Sequence, residues 1–320
     1  MPSPSLTEVP VLEVSAGWHT GAPWAELREA VTRHGAVVVR GLEPRERGDA
    51  VKLCQSLPVP LMAEREPFAP RDRHAEGVYS SSKWPPDQPM CMHHELSYAL
   101  EFPALMIFAC VTAPGTGGAT AIADSASVLA ALPRDLVERF ERDGWLLERT
   151  YNGDVGVSVA EAFGTSDRGA VEAYCRANAI DFEWRGDGVL RTRQLRPAVV
   201  RHPVTGARCW FNQIAFLNEW TMAPEIRTYL VDVYGADSLP FTTRFGDGTP
   251  VPEEAVTAIN GVYDEHTVSH RWRAGDVMIT DNIQTSHSTQ PYTGNREIVV
   301  AMAEPVRLAD RADPLAAPSI

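Results

Sequence analysis

The chain has 320 residues, a formal net charge of −13 at pH 7, and 44% hydrophobic and 22% charged residues. This composition is typical of a soluble globular protein, and the acidic balance argues against a nucleic-acid partner, because phosphate binding needs a basic surface. The longest nearly apolar run, residues 104–113, is too short to cross a bilayer, and the N-terminus lacks the pattern of a secretory signal. We therefore expect a cytoplasmic protein without a membrane partner.

Hydrophobic periodicity and turn residues define a series of short elements. In the first part of the chain they predict, in order, a helix over residues 23–33, a strand over 36–39, a helix over 45–56, an irregular proline-rich loop over 64–88, short strands from residue 90, and strands over 105–111 and 119–123. The second part is predicted to contain helical residues over 124–144 with a break at Pro133, a helix over 167–178, hairpin turns at 186–188 and 203–206, helices over 224–234 and 253–263, and strands over 277–281, 287–290 and 296–304.

The order of these elements predicts the fold class. Many strands with a few peripheral helices favour a mainly β protein with a double-stranded β-helix core, the jelly roll of cupin-like proteins. The sequence contains no internal repeat and no linker-like change in composition. We therefore expect one domain over residues 1–320, with helical insertions around residues 124–178 and 223–263.

The five cysteines form an odd set without a C-x-x-C pair, which predicts reduced thiols instead of disulfides or a structural zinc site. Cys91 lies two residues before a histidine and is either a thiolate ligand or a small packed residue. We favour packing, since free cysteine behaves as a small apolar side chain.

The triplet His93-His94-Glu95 is the first part of a candidate metal site. On an extended strand, residues i and i+2 point to the same side, so His93 and Glu95 could bind one ion while His94 points away. Taken alone the triplet is weak evidence, because a histidine and an acid at this spacing also occur by chance.

The third ligand is expected from another histidine. His287 follows an apolar strand and precedes a turn, whereas His266 and His270 lie in polar surroundings that favour exposure to solvent. We choose His287. Two imidazoles and one carboxylate on one side of an ion leave the opposite positions open, which is the arrangement of non-haem Fe(II) oxygenases.

Arg296 lies nine residues after His287, across a turn, so it begins the next antiparallel strand and its side chain could enter the same cavity. An arginine inside a barrel is costly unless it meets a carboxylate. A dicarboxylic cosubstrate supplies one: one end chelates iron and the other binds the guanidinium. Thr120 could donate a hydrogen bond to the same carboxylate.

At these residues the sequence resembles the taurine dioxygenase-like (TauD/TfdA) branch of Fe(II)/2-oxoglutarate oxygenases, within the wider clavaminate synthase-like group. The resemblance extends over about residues 35–306, and the matching segments are residues 92–98, 117–120, 272–276 and 281–296. It implies that Fe(II), 2-oxoglutarate and dioxygen are used. It also implies ligand roles for His93, Glu95 and His287 toward iron, and for Thr120 and Arg296 toward 2-oxoglutarate.

Glu95 departs from the aspartate of most members of this branch. A subset with glutamate is similar, and it includes hydroxylases of amino acids in peptide antibiotic pathways, some of them acting on carrier-bound substrates. Related halogenases replace the acid with a small residue, so the presence of Glu95 argues against chlorination. The resemblance therefore implies hydroxylation of an unactivated C–H bond in a small polar metabolite, an amino acid or a derivative, in specialised metabolism.

The sequence gives weaker signals for the primary substrate. Six residues are candidates for contact with it, although each is explained equally well as part of the core: Tyr79, Ser82, Ser97, Tyr98, Trp210 and Asn212. Residues 185–208 contain six arginines and one acid. They form either a solvated hairpin face or a surface for an anion, such as a substrate carboxylate or an acidic carrier protein.

Two other functions are compatible with parts of this pattern. A zinc hydrolase could use His93, Glu95 and His287 with a bound water, but it gives Arg296 and Thr120 no role. A jelly roll that binds a ligand without catalysis would not turn over 2-oxoglutarate.

Overall fold

The computed structural model describes residues 7–14 and 21–311 of the chain. The α-helices of this part are α1 Gly21–His34, α2 Arg47–Gln55, α3 Ser125–Ala131, α4 Arg134–Asp143, α5 Val159–Phe163, α6 Arg168–Ala177, α7 Pro224–Tyr234 and α8 Glu253–Glu265. The strands are β1 Val11–Glu13, β2 Ala36–Arg40, β3 Arg73–Ala75, β4 Val78–Ser80, β5 Glu101–Thr112, β6 Thr116–Gly117, β7 Thr120–Asp124, β8 Trp145–Tyr151, β9 Asp181–Trp184, β10 Leu190–Arg196, β11 Val199–Arg201, β12 Arg208–Trp210, β13 Phe241–Phe245, β14 Thr267–His270, β15 Val277–Asp281, β16 Thr285–Thr289, β17 Tyr292–Thr293 and β18 Glu297–Arg307. The described chain is therefore strand-rich with helices, as the sequence predicts.

A seven-stranded sheet in the order β1-β2-β15-β5-β18-β4-β3 forms the largest layer. Its central strand β5 is buried on both faces, which explains its continuous apolar sequence. Leu105 and Ile107 belong to the core under helices α1 and α2, whereas Met106 and Phe108 belong to the core on the opposite face. The two-residue period of the strand therefore separates the helix-covered side from the side that carries the candidate site.

A three-stranded sheet in the order β14-β7-β16 shares the second of these cores with the large sheet. Strand β16 pairs with β7, so that His287 lies opposite Ile122. The ring of Phe108 on the large sheet is 5.2 Å from the ring of His287, measured between centroids. The candidate site thus lies between two sheets.

The spans expected as helical insertions contain helices α3 to α6 and helices α7 and α8, but each also contains a strand, β8 or β13. These strands pair with each other in a sheet of order β13-β8-β10-β9. Periodicity did not predict β8, because its buried residues include polar ones. Glu148 on β8 forms ion pairs with Arg191 at 3.0 Å and Arg244 at 2.7 Å, and these pairs replace apolar contacts.

Capping residues, prolines and glycines begin or end several helices where the sequence predicts. The Asp124 carboxylate accepts a hydrogen bond from the Ser127 amide and caps α3, Pro133 separates α3 from α4, and Gly144 ends α4 with a φ of 74°. Residues 64–88, predicted as an irregular loop, contain the short strands β3 and β4. Strand β4 pairs with β18, so this segment is an edge of the large sheet.

None of the helices in the described part of the chain combines the length and the apolar character needed to span a bilayer.

Candidate metal centre

The two predicted histidine ligands face each other across a single antiparallel bridge. The His93 amide donates to the His287 carbonyl at 3.1 Å, and the His287 amide donates to the His93 carbonyl at 2.9 Å. Side chains of such a pair leave the backbone on the same side. The two imidazole rings accordingly lie 4.5 Å apart, measured between centroids.

Glu95 reaches the same point through a turn. An extended strand through His93 and Glu95 is the expectation from sequence, but His93 forms only an isolated bridge and residues 95–98 form a turn in which Leu96 has a φ of 53°. Asn282 holds this turn. Its Oδ1 accepts from the Glu95 amide at 2.9 Å, and its Nδ2 donates to the Glu95 carbonyl at 3.0 Å.

His93, Glu95 and His287 each offer a donor atom, and these atoms lie within 4.8 Å of one another. All three residues are buried. Burial lowers the pKa of His93, and it holds the pKa of His287 well below its usual value. Both imidazoles are therefore neutral at pH 7 and offer lone pairs to a cation.

Each of the two histidine rings has a nitrogen that is available to a bound ion. Nδ1 of His93 lies 3.0 Å from the Cys91 carbonyl and donates to it, which leaves Nε2 as the free lone pair. Cys91 thus contributes its carbonyl oxygen to the site. Nδ1 of His287 is buried and has no hydrogen-bond partner among the described residues. Two neutral nitrogens and one carboxylate match the donor set of a facial iron triad.

The histidines that the sequence analysis set aside have other partners. His94 points away from the cluster, and its Nδ1 lies 2.6 Å from the Asn282 carbonyl. His270 lies on β14, where its Nε2 is 3.0 Å from Asp276 Oδ2, and His266 ends helix α8. Their spacing of four residues therefore does not correspond to one helix.

A cavity beside these three donors is lined by His93 and His287 together with Thr120 and Arg296, and is called the metal cavity below. Trp272 Nε1 donates to Thr120 Oγ1 at 3.1 Å, so the threonine hydroxyl can still donate its own hydrogen. Arg296 is half-buried, and its Nε donates to the Gly118 carbonyl at 3.3 Å. Among the described residues, no carboxylate forms an ion pair with Arg296, and burial lowers its pKa.

Comparison with known proteins agrees with this geometry. The family model described as "Taurine catabolism dioxygenase TauD, TfdA family" matches residues 13–302. The chain belongs to the TauD/TfdA family. The enzyme class inferred from sequence, an Fe(II)/2-oxoglutarate-dependent dioxygenase, is thereby confirmed.

Two relatives of this TauD/TfdA member cover most of its length. The dapdiamide synthesis protein DdaC of Enterobacter agglomerans is 34% identical over 278 residues, covering 87% of this chain and 84% of DdaC. A clavaminate synthase-like protein of Arabidopsis thaliana is 26% identical over 281 residues, covering 84% of this chain and 82% of the relative. Both agree with the resemblance found in the sequence.

Solved structures show the same fold at low sequence identity. A taurine dioxygenase from Burkholderia xenovorans matches with a TM-score of 0.50 and 19% identity, covering 98% of this chain and 96% of that chain. The PvcB protein from Pseudomonas aeruginosa matches with a TM-score of 0.52 and 16% identity, covering 95% of this chain and 89% of that chain.

The six substrate candidates of this TauD/TfdA member are distributed over several environments. Ser82 lines the metal cavity, and Tyr79 lines a neighbouring cavity and accepts a hydrogen bond from the Glu64 amide through its hydroxyl. Ser97 is buried in the turn after Glu95, and its hydroxyl has no partner among the described residues.

Three candidates make internal contacts and do not line the metal cavity. The Tyr98 hydroxyl, in the turn that follows Glu95, donates to the Glu66 carbonyl at 2.9 Å. Trp210 packs against Phe140, and the Asn212 amide donates to the Ala198 carbonyl at 3.1 Å. These contacts explain the three residues as parts of the core.

Four of the six arginines in residues 185–208 have partners within the chain. Arg185, Arg191 and Arg208 pair with Glu183, Glu148 and Glu141 respectively. Arg196 is buried and donates to backbone carbonyls. Of the two alternatives for this segment, a solvated hairpin face and a surface for an anion, these contacts favour the first, because four of the six arginines have partners within the chain.

Sequence reasoning missed three residues that support the site: Arg71, Asn282 and Trp272. Arg71 lies in a segment without periodicity, and its Nη2 donates to Glu95 Oε2 at 2.8 Å. Asn282 and Trp272 fall within segments that match the family, so the motif could have identified them. No local signal marks Arg71.

Proposed function

We propose that this TauD/TfdA member is an Fe(II)/2-oxoglutarate-dependent hydroxylase of a small polar metabolite, an amino acid or a derivative, either free or bound to a carrier protein. The observation that carries the proposal is the cavity that brings Arg296 and Thr120 together with His93 and His287, two of the three clustered donors. A zinc hydrolase would leave this arginine without a function. A 2-oxoglutarate molecule gives it the carboxylate that it lacks among the described residues.

The proposed ligand roles follow from the donors. His93, Glu95 and His287 would hold Fe(II), which with 2-oxoglutarate and dioxygen supplies the oxidising chemistry. Arg296 offers a guanidinium fork to the distal carboxylate of 2-oxoglutarate, and Thr120 offers a hydroxyl hydrogen. The overall change converts 2-oxoglutarate, dioxygen and a C–H bond into succinate, carbon dioxide and an alcohol.

The surroundings of the metal donors restrict water. His93 stacks on Phe216, with the ring centroids 4.5 Å apart, and Phe108 packs against His287. A dry site strengthens the electrostatic contacts of bound groups and limits side reactions. We propose that these rings keep the metal face apolar where the target carbon approaches.

A biosynthetic role is supported by the name of DdaC, a dapdiamide synthesis protein. The retained Glu95 argues against chlorination. We also infer that residues 1–320 form one oxygenase domain with a jelly-roll core, which the two sheets around the site and the likeness to taurine dioxygenase structures support. The cytoplasmic location stays a prediction.

The test is succinate formation with Fe(II), ascorbate and 2-oxoglutarate, measured together with a panel of amino acids and derivatives analysed by mass spectrometry. The parent protein is expected to form succinate, and His287→Ala is expected to reduce it to background. A product that gains one oxygen indicates hydroxylation, whereas loss of two hydrogens indicates desaturation or ring closure. Hydrolysis that requires zinc and proceeds without dioxygen would contradict the proposal.

A further inference from the structure

Arg71 lies between α2 and β3 and reaches Glu95, the carboxylate of the candidate metal centre. Its Nη2 donates to Oε2 of Glu95 at 2.8 Å, and the exposed fractions of the two side chains are 6% and 3%. A charge-assisted hydrogen bond shielded from water is strong and directional. This contact therefore engages Oε2 and fixes the orientation of the carboxylate.

Arg71 is itself held in place by two further groups. Its Nε donates to Ser82 Oγ at 3.1 Å and lies 3.4 Å from Glu64 Oε1. Glu64 thus brings a second acidic group to the buried guanidinium, beside Glu95.

Glu95 needs such a partner more than an aspartate would. Asn282 fixes its backbone on both sides, but the side chain has one more rotatable bond than aspartate. Among the described residues, Arg71 is the only group that donates a hydrogen bond to its carboxylate. Without that contact, the carboxylate is free to turn and present both oxygens to a metal ion.

The number of metal-bound oxygens matters for the proposed reaction. An octahedral ion has six positions, of which three protein donors and a chelating 2-oxoglutarate use five, so one remains for dioxygen. Carboxylates bind metals through one oxygen or through two. A carboxylate that binds through two oxygens competes with the cosubstrate or with dioxygen for the last position.

We propose that Arg71 is a positioning residue that restricts Glu95 to one metal-bound oxygen and so keeps the remaining position open. The inference rests on the proposed function, because it assumes that the three donors bind an ion which also binds 2-oxoglutarate. It makes Arg71 part of the metal site although it contacts no ion.

The experiment uses Mn(II) as the probe, since Mn(II) can occupy the site with or without dioxygen and does not support turnover of 2-oxoglutarate. Crystal structures of the Mn(II)-loaded parent and of Arg71→Met are compared, and 2-oxoglutarate affinity is measured by calorimetry on the same proteins. We expect one Glu95 oxygen on Mn(II) in the parent and two in the variant. We expect 2-oxoglutarate affinity to fall by roughly 10- to 100-fold, the same range as the loss of metal affinity or activity when a group that orients a metal ligand is removed.

Arg149→Met is the matched control. Arg149 is also buried, and it donates to the Glu66 and Pro67 carbonyls of the neighbouring loop without contacting Glu95. This variant is expected to keep one metal-bound oxygen and the parent affinity. If Arg71→Met does not fold, Arg71→Gln replaces it, because the shorter amide does not reach Oε2 and the same changes are expected.

A single metal-bound oxygen together with unchanged 2-oxoglutarate affinity in the Arg71 variant would overturn the inference. A higher KM for the primary substrate with unchanged metal geometry would also overturn it, since Arg71 would then act on substrate. Succinate formation by the parent keeps the proposed function intact in either case. A parent that neither binds 2-oxoglutarate nor forms succinate would instead defeat the proposed function.

Discussion

The metal cavity and the polar part of the core contain the same residue types, but these residues differ in how many hydrogen bonds they make within the protein. In the core, Arg196 is 2% exposed and donates to the carbonyls of Tyr98, Ala179, Leu195 and Asn178 at 2.6–3.1 Å. In the cavity, Arg296 donates to one carbonyl at 3.3 Å.

The adjacent histidines repeat this contrast. The two ring nitrogens of His94 lie 2.6 Å from the Asn282 carbonyl and 3.2 Å from the Ser125 hydroxyl. His93 instead forms a hydrogen bond through one ring nitrogen, and its other nitrogen is available to a metal ion. Buried polar groups whose hydrogen bonds are all made within the protein serve stability. Buried polar groups with an unused donor or acceptor mark a site for a ligand. The type of residue alone therefore does not indicate its role.

The largest effect is expected for Arg196→Met. Four carbonyls lose their donor, and we expect the free energy of unfolding to fall by about 3 kcal/mol. Urea unfolding followed by circular dichroism measures this loss. The KM for 2-oxoglutarate should stay at the parent value, and a raised KM would break the division between core and cavity.

Arg296→Met tests the other side of the comparison. Removing one partner of a desolvated ion pair with the cosubstrate carboxylate is expected to raise the KM for 2-oxoglutarate about 100-fold. The free energy of unfolding should change by less than about 1 kcal/mol, because the guanidinium loses only one long hydrogen bond. A large loss of stability with an unchanged KM would assign this arginine to the core.

His94→Leu separates the two adjacent histidines. Leucine leaves the Asn282 carbonyl without its donor, so we expect a loss of about 2 kcal/mol in the free energy of unfolding of the metal-free protein. Mn(II) affinity, measured by calorimetry, should remain within a few-fold of the parent. The matched variant His93→Leu should instead lose Mn(II) binding, and equal losses of binding in both would contradict the proposed choice of ligand.

The smallest effect is expected for Thr120→Val, which keeps the shape of the side chain and removes one hydroxyl. The KM for 2-oxoglutarate should rise roughly 5-fold, because one hydrogen bond to a carboxylate is lost among several contacts. Steady-state kinetics at saturating primary substrate measures it. An unchanged KM would indicate that Thr120 serves only as the acceptor for Trp272.

Much of the fold could be read from local signals. The apolar run of β5, the cap at Asp124, the break at Pro133 and the proline at the start of α7 each act over a few residues, and the structure has elements at these places. Strands β8 and β13 were missed, because their buried polar residues depend on partners elsewhere in the chain. The contact of Tyr98 also depends on a distant segment, since its hydroxyl donates to the Glu66 carbonyl.

The amino-acid sequence alone, through motifs that resemble known oxygenases, determined the family and the enzyme class, and it indicated the donors of the candidate metal centre, because spacing and side-chain chemistry are properties of the chain itself. Only the tertiary structure decided that His93 and His287 face each other across a backbone bridge. It also decided that Arg196 makes several hydrogen bonds within the protein while Arg296 makes one, and that Arg71 forms an ion pair with Glu95. These three facts depend on contacts between distant segments. No local pattern encodes them, because burial and hydrogen-bond partners exist only once the sheets have packed.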